Sequence, residues 1–158
     1  MERLWAPWRM KFIKDKVARK RCIFCSNHKE TKDSKNFIIE RGEFNYVMLN
    51  IYPYAPGHIM ISPYRHVKEL DKMLPTERSE MMELTAKFIP ILKKVINADG
   101  FNIGFNQGKS AGGSYKHIHQ HIVPRWEGDT NFILPISNTK TFPEILKDTY
   151  KRIMKELK

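Results

Sequence analysis

His117-Ile118-His119-Gln120-His121-Ile122-Val123 places three of the chain's six histidines at every second position. In an extended strand successive side chains point to opposite faces. The pattern therefore puts all three imidazoles on one side, each roughly 6.6–6.8 Å from the next. On a helix the same residues would fan apart. Ile118 and Ile122 point the other way, into a core, and Gln120 adds one polar group to that far face. The reading is a strand over 116–123, closed by Pro124.

Working outward, residues 106–114 (NQGKSAGGS) form a glycine-rich loop directly before this strand. Phe101 to Phe105 reads as a strand before the loop. A helix over 76–96 precedes it, with Met81, Leu84, Phe88, Ile91 and Val95 at helical spacing and Pro90 as an expected kink or break. Asp99-Gly100 is its expected end. Further back, 37–49 reads as a hairpin turning at Arg41-Gly42-Glu43, and His58 to Ser62 as a strand. Residues 26–36 and 50–57 read as loops. Leu146, Tyr150, Ile153 and Leu157 mark a C-terminal helix within 143–158. The fold class is α+β: an antiparallel sheet of about five strands, one long helix and a C-terminal helix, in a single domain over 1–158.

Two chemistries fit three aligned imidazoles. His-x-His on a strand supplies two zinc ligands, with more from elsewhere. Alternatively, a neutral imidazole attacks a phosphoryl centre and forms a phosphoramidate, with its neighbours positioning phosphate oxygens and handling protons. The loop favours the second. Gly108, Gly112 and Gly113 let backbone amides approach an anion, and Asn106 and Ser114 add neutral donors. The spacing does not choose among the three histidines.

These residues resemble the histidine triad (HIT) family, whose signature alternates three histidines with mostly apolar residues. Asn50…Pro56-Gly57-His58…Ser62-Pro63…His66, Gly104…Asn106-x-Gly108 and Gly112-Gly113-Ser114 resemble it too. Leu4-Trp5-Ala6-Pro7-Trp8-Arg9 and residues 124–132 (PRWEGDTNF) are similar to a bacterial branch that includes diadenosine tetraphosphate phosphorylases. The resemblance implies nucleotidyl transfer or hydrolysis on dinucleoside polyphosphates. It implies His119 as nucleophile, His121 on the α-phosphate, Asn106 and Ser114 in the phosphate loop, and Asn50 and His58 at the nucleotide site. It also implies a homodimer paired through a helix and a sheet edge.

Cys22-Ile-Phe-Cys25 is half of a tetrahedral zinc site. By spacing, His28 is as good a further ligand as any. Zinc-bearing members of the family use the histidines matching His66 and His117, which makes the metal structural. A redox pair would be expected to open a helix, whereas a polar loop is read here.

The net charge is +11, and residues 1–21 carry eight basic and two acidic groups, a net +6. Such a segment attracts polyanions, so a nucleotide- or RNA-binding protein without turnover is the rival reading. An intact nucleophile motif argues against it, since binding needs none. No apolar run approaches a membrane span and the N-terminus lacks a secretory pattern, so a cytoplasmic protein is expected. Tyr52, Tyr54 and Trp126, in proline-bounded loops, are candidates for stacking on a base, and Lys109 and Lys116 flank the phosphate loop.

Overall fold

The computed structural model describes residues 22–113, 115–129 and 145–158. The expectations for residues 1–21, for Ser114 and for residues 130–144 lie outside the described residues. Five antiparallel strands run in the order β1-β2-β3-β5-β4. They are β1 (Ile38–Arg41), β2 (Asn45–Leu49), β3 (Ile59–Pro63), β4 (Gly100–Phe105) and β5 (Gln120–Arg125). Two short helices, α1 (Ile23–Asn27) and α2 (Asp33–Asn36), precede the sheet. The long helix α3 (Pro75–Ile96) lies between β3 and β4, and α4 (Leu146–Glu156) follows β5. The fold is α+β, as the patterning predicts.

Every residue of β2 and β3 is buried, because the centre of the sheet is covered on both faces. The alternation sorts the side chains into two clusters. Val47, Leu49, Ile59, Ile61, Ile118 and Ile122 pack with Met81, Phe88 and Leu92 of α3 and Ile153 of α4. Tyr46, Met48 and Met60 face the other way and pack with Phe24 of α1. Phe24 of this second, smaller cluster also meets the rings of His117 and His119. α3 continues through Pro90 as one helix and ends at Asn97 in the left-handed region (φ 51°), before the expected Asp99-Gly100 stop. The stripe read for α3 shifts by one at Ile91: Leu92 is fully buried and Ile91 only partly so.

Three further sequence readings change. Residues 26–36 are not loop throughout, since α1 and α2 occupy part of them. Short helical turns leave no apolar period to detect. The triad strand starts later and ends later than 116–123. Gln120 is its first residue, and it runs through Pro124, which pairs with Phe101 of β4 beyond the last β3 pair at Ile122. A proline is tolerated there because only one neighbour remains to be bonded. Trp126 donates from Nε1 to the Ile96 carbonyl (3.2 Å) and packs on the α3 cluster.

Gln120 does face α3. It is buried, and its Oε1 accepts a 2.5 Å hydrogen bond from Thr85 Oγ1. A polar residue on the core face is thus satisfied by a polar residue of the helix.

Candidate functional site

The triad divides between two sites. His117 turns toward the cysteines, while His119 and His121 face a cavity of about 200 Å³. His119 and His121 lie edge to face, with ring centroids 4.7 Å apart. The cavity wall is apolar where Ile23, Met48, Ile51 and Met60 line it, and aromatic at Tyr52 and Tyr54. Asn50 and Asn106 add amides. The structure brings Asn50, His58, Asn106, His119 and His121 together. Gly113 lies at the edge of the site, in the loop.

Hydrogen bonds assign each imidazole its proton. The Tyr54 backbone amide donates to His58 Nδ1 (3.1 Å), so a neutral His58 carries its hydrogen on Nε2. That Nε2–H meets His121 Nδ1 at 3.0 Å, which fixes Nδ1 of His121 as acceptor and places its proton on Nε2; the Asn106 carboxamide, 3.3 Å away, pairs with that N–H when it is turned so that its oxygen faces the ring. His119 Nδ1 sits 2.7 Å from the His117 carbonyl, an acceptor only, so Nδ1 holds the hydrogen and Nε2 keeps its lone pair. His117 Nε2 donates to the Pro63 carbonyl (3.0 Å), which leaves Nδ1 free to coordinate. The sequence pattern aligned the three triad rings, but these partners give them three different roles.

Burial keeps the rings neutral. It pushes His121 down to about 4, with the neighbouring His119 adding to the shift. Burial also lowers His119, partly countered by its bond to the His117 carbonyl, and holds His58 well below the ordinary imidazole range. An imidazole that stays neutral when buried takes up its proton only on unfolding, so its contribution to stability is complete above about pH 6.5 and is lost as pH falls toward 4. For His121 alone the loss between pH 7 and 5 is about 2 kcal/mol. Urea midpoints should fall over that range, and a His121→Asn variant should fall less steeply. Equal slopes would contradict the assignment.

The loop of residues 106–113 closes on itself. The Gly113 amide donates to the Gly108 carbonyl (2.9 Å) and the Gly112 amide to that of Lys109 (3.1 Å). A Cβ on Gly113 would lie 2.5 Å from the Asn106 carbonyl oxygen and 2.8 Å from that of Gly108, so only glycine fits. Gly113 thus holds the loop's shape, and its own N–H is already used there.

Cys22, Cys25, His66 and His117 offer donor atoms that all lie within 4.8 Å of one another. Cys22 Sγ is 3.2 Å and Cys25 Sγ 3.5 Å from His117 Nδ1, and Cys25 Sγ is 3.1 Å from His66 Nδ1. Tetrahedral zinc with bonds of about 2.0–2.3 Å separates its ligand atoms by roughly 3.3–3.8 Å, so the donor set is of the right kind and size for such an ion. Burial and the adjacent Cys22 thiol push Cys25 up to about 11, a thiol that ionises readily only beside a cation. His28 is not in this cluster. Its ring packs edge-on against Tyr64, with centroids 5.2 Å apart. The Cys22-x-x-Cys25 pair does open a helical turn, α1, contrary to the loop reading, but two imidazoles complete its surroundings.

Sequence reasoning missed Phe24. Its ring stacks on His119, with centroids 4.5 Å apart and planes 27° from parallel, and its carbonyl accepts from the buried Tyr46 hydroxyl (2.9 Å). Its position between two cysteines that reach His117 was the available signal.

The HIT domain family matches residues 30–128. An AP-4-A phosphorylase from Mycobacterium tuberculosis is 38% identical over 99% of this chain and 84% of its own length. An asymmetrical bis(5'-nucleosyl)-tetraphosphatase from Schizosaccharomyces pombe is 32% identical over 58% of this chain and 50% of its own. Among solved structures, a zinc-bound histidine triad family protein from Mycobacterium smegmatis superposes with a TM-score of 0.71 at 25% identity. It covers 88% of this chain and 94% of that one.

Proposed function

The chain belongs to the HIT domain family, and from that premise we propose that it transfers a nucleotidyl group from a dinucleoside polyphosphate, diadenosine tetraphosphate in the first instance, through a covalent intermediate on His119. The observation that carries this reading is the free lone pair of His119 Nε2 in the wall of the cavity, left by the bond from Nδ1 to the His117 carbonyl. His119 Nε2 bonds to the α-phosphorus. The bond from that phosphorus to the bridging oxygen breaks, and the electron pair leaves with the departing nucleotide. His121 Nε2–H, set by His58, donates a hydrogen bond to an α-phosphoryl oxygen, and Asn106 adds its amide. Asn50 holds the Tyr52 backbone amide (2.9 Å) and so positions the aromatic wall against which a base and ribose pack. Gly113 shapes the phosphate loop, and Ser114 is its next donor by family resemblance. An acceptor then attacks the phosphoramidate, the N–P bond breaks and His119 is regenerated.

Cys22, Cys25, His66 and His117 would hold a zinc ion. It would supply structural cross-linking between α1 and the triad segment, and four protein ligands would leave it no open position for water.

A relative that matches nearly the whole chain is an AP-4-A phosphorylase, which favours inorganic phosphate as acceptor. Incubating the protein with diadenosine tetraphosphate should then give ADP and ATP when phosphate is present, and AMP and ATP when water is the acceptor. Mass analysis of products from a panel of dinucleoside polyphosphates, with and without phosphate, tests both the substrate class and the acceptor. Identical products at identical rates in the two conditions would reject phosphorolysis.

The protein is further proposed to be a homodimer. The apolar stripe of α3 is no argument for this, since α4 and the sheet cover it. The outer edge of β4 is one: among the described residues it pairs only with β5, and Ile103 on it is 43% exposed. A sedimentation mass of 18.7 kDa at micromolar concentration would refute it.

A further inference from the structure

Beyond the loop from the triad cavity lies a second one, of about 720 Å³, whose character is different. The first is walled by apolar, aromatic and amide side chains, and its one lysine, Lys35, is paired with Glu30 (3.0 Å). The second carries the exposed lysines Lys68, Lys109 and Lys116 against a single carboxylate, that of Glu69. Among the described residues none of the three lysines has a carboxylate partner. The two cavities meet at Asn106, Gly112 and Tyr115, which line both.

The lysines stand on three separate backbone segments that are fastened together. The Leu70 amide donates to the Gln107 side chain (2.9 Å), tying the Lys68 segment to the glycine loop. The Ile118 amide donates to the Val67 carbonyl (2.6 Å), tying the same segment to the triad. Three ammonium groups are thus held around one space by braced backbone, while the four-carbon stems remain free to adjust.

We propose that this cavity is the subsite for the polyphosphate of the leaving nucleotide, with Lys68, Lys109 and Lys116 as its cationic contacts. The proposal rests on the nucleotidyl-transfer reading and extends it from the group transferred to the group released. A base and ribose in the aromatic cavity put the α-phosphate at His119. The rest of the chain of phosphates must then leave that cavity, and the glycine loop is the boundary it crosses into the lysine-lined space. Lysine suits the task. A compact charge on a flexible stem follows phosphates at variable spacing, whereas an arginine fork would fix one geometry. The charge released with the leaving group grows as the P–O bond breaks, so the same ammonium groups stabilise departure as well as binding.

Tripolyphosphate is the probe, with calorimetry on the zinc-loaded protein and on a Lys68→Gln, Lys109→Gln, Lys116→Gln triple variant. Binding to the parent protein that weakens at least tenfold in the variant is expected. A second measurement compares diadenosine tetraphosphate with an adenylate nitrophenyl ester, whose leaving group carries no phosphate. The ratio of kcat/KM for the two substrates should fall about tenfold in the variant. Tripolyphosphate that binds both proteins equally, or neither, would overturn the subsite, as would a parallel loss on both substrates. A parent protein that binds tripolyphosphate through these lysines yet turns over neither substrate would instead refute nucleotidyl transfer and leave the anion site standing.

Discussion

Replacing His119 with alanine should lower turnover of diadenosine tetraphosphate by at least about 10³-fold, some 4 kcal/mol of transition-state stabilisation, with nucleotide binding retained. The size follows from what the side chain does. Without it the α-phosphorus has no internal nucleophile, and water would have to attack directly. The cavity survives the change, because its apolar wall and its amides come from other residues. The Phe24 ring would lose its stacking partner but keeps its backbone bond to Tyr46. A His119→Gly variant leaves a space of imidazole shape, and added imidazole should restore part of the rate. Near-parental turnover in His119→Ala would end the covalent account.

Replacing Cys22 or Cys25 with alanine should remove the metal and lower stability and activity together. Purified without chelator, the parent protein is expected to carry about one zinc per chain, and each variant far less. Loss of a structural ion at such a centre is worth on the order of 4 kcal/mol, or about 8–16 °C in Tm for a chain of this size. Activity should fall as well, because the ion would tie α1 to His117, and α1 carries the ring that stacks on His119. Phe24→Ala offers a separation of these effects: it should reduce turnover while retaining zinc. His66→Ala should also lose metal, since His28 is turned toward Tyr64 and stands outside the cluster. Elemental analysis finding no zinc in the parent, or full retention in His66→Ala, would contradict the proposed centre.

The period-two histidines, the long apolar stripe of α3 and the hairpin turn at Gly42 made most of the fold legible, because each is a regular pattern that burial must respect. Strand ends were less so. β5 continues through Pro124 because β3 has stopped alongside it, which is a fact about the neighbour and not about the strand's own residues. The short helices α1 and α2 are held by contacts from elsewhere, among them Arg41, which donates to the His28 carbonyl (2.8 Å) and pairs with Asp33 (2.7 Å). No local period announces them.

The candidate site divides the same way. That His117, His119 and His121 share one face was legible, and so was the pairing of Cys22 with Cys25. Which ring carries a free lone pair on which nitrogen depends on the Pro63 and His117 carbonyls and on the Tyr54 amide. These are backbone groups, present at every position and therefore silent in a sequence. Lys68 was missed for a related reason: it is far from the glycine loop along the chain and is brought to it by the bond between Leu70 and Gln107.

The central claim is the bond between phosphorus and His119 Nε2, and trapping it is the direct test. Brief exposure to diadenosine tetraphosphate labelled at the α-phosphate, followed by quenching and peptide mapping, should find one acid-labile, base-stable label on His119. Label on His117 or His121, or turnover with no label on the protein at all, would contradict it.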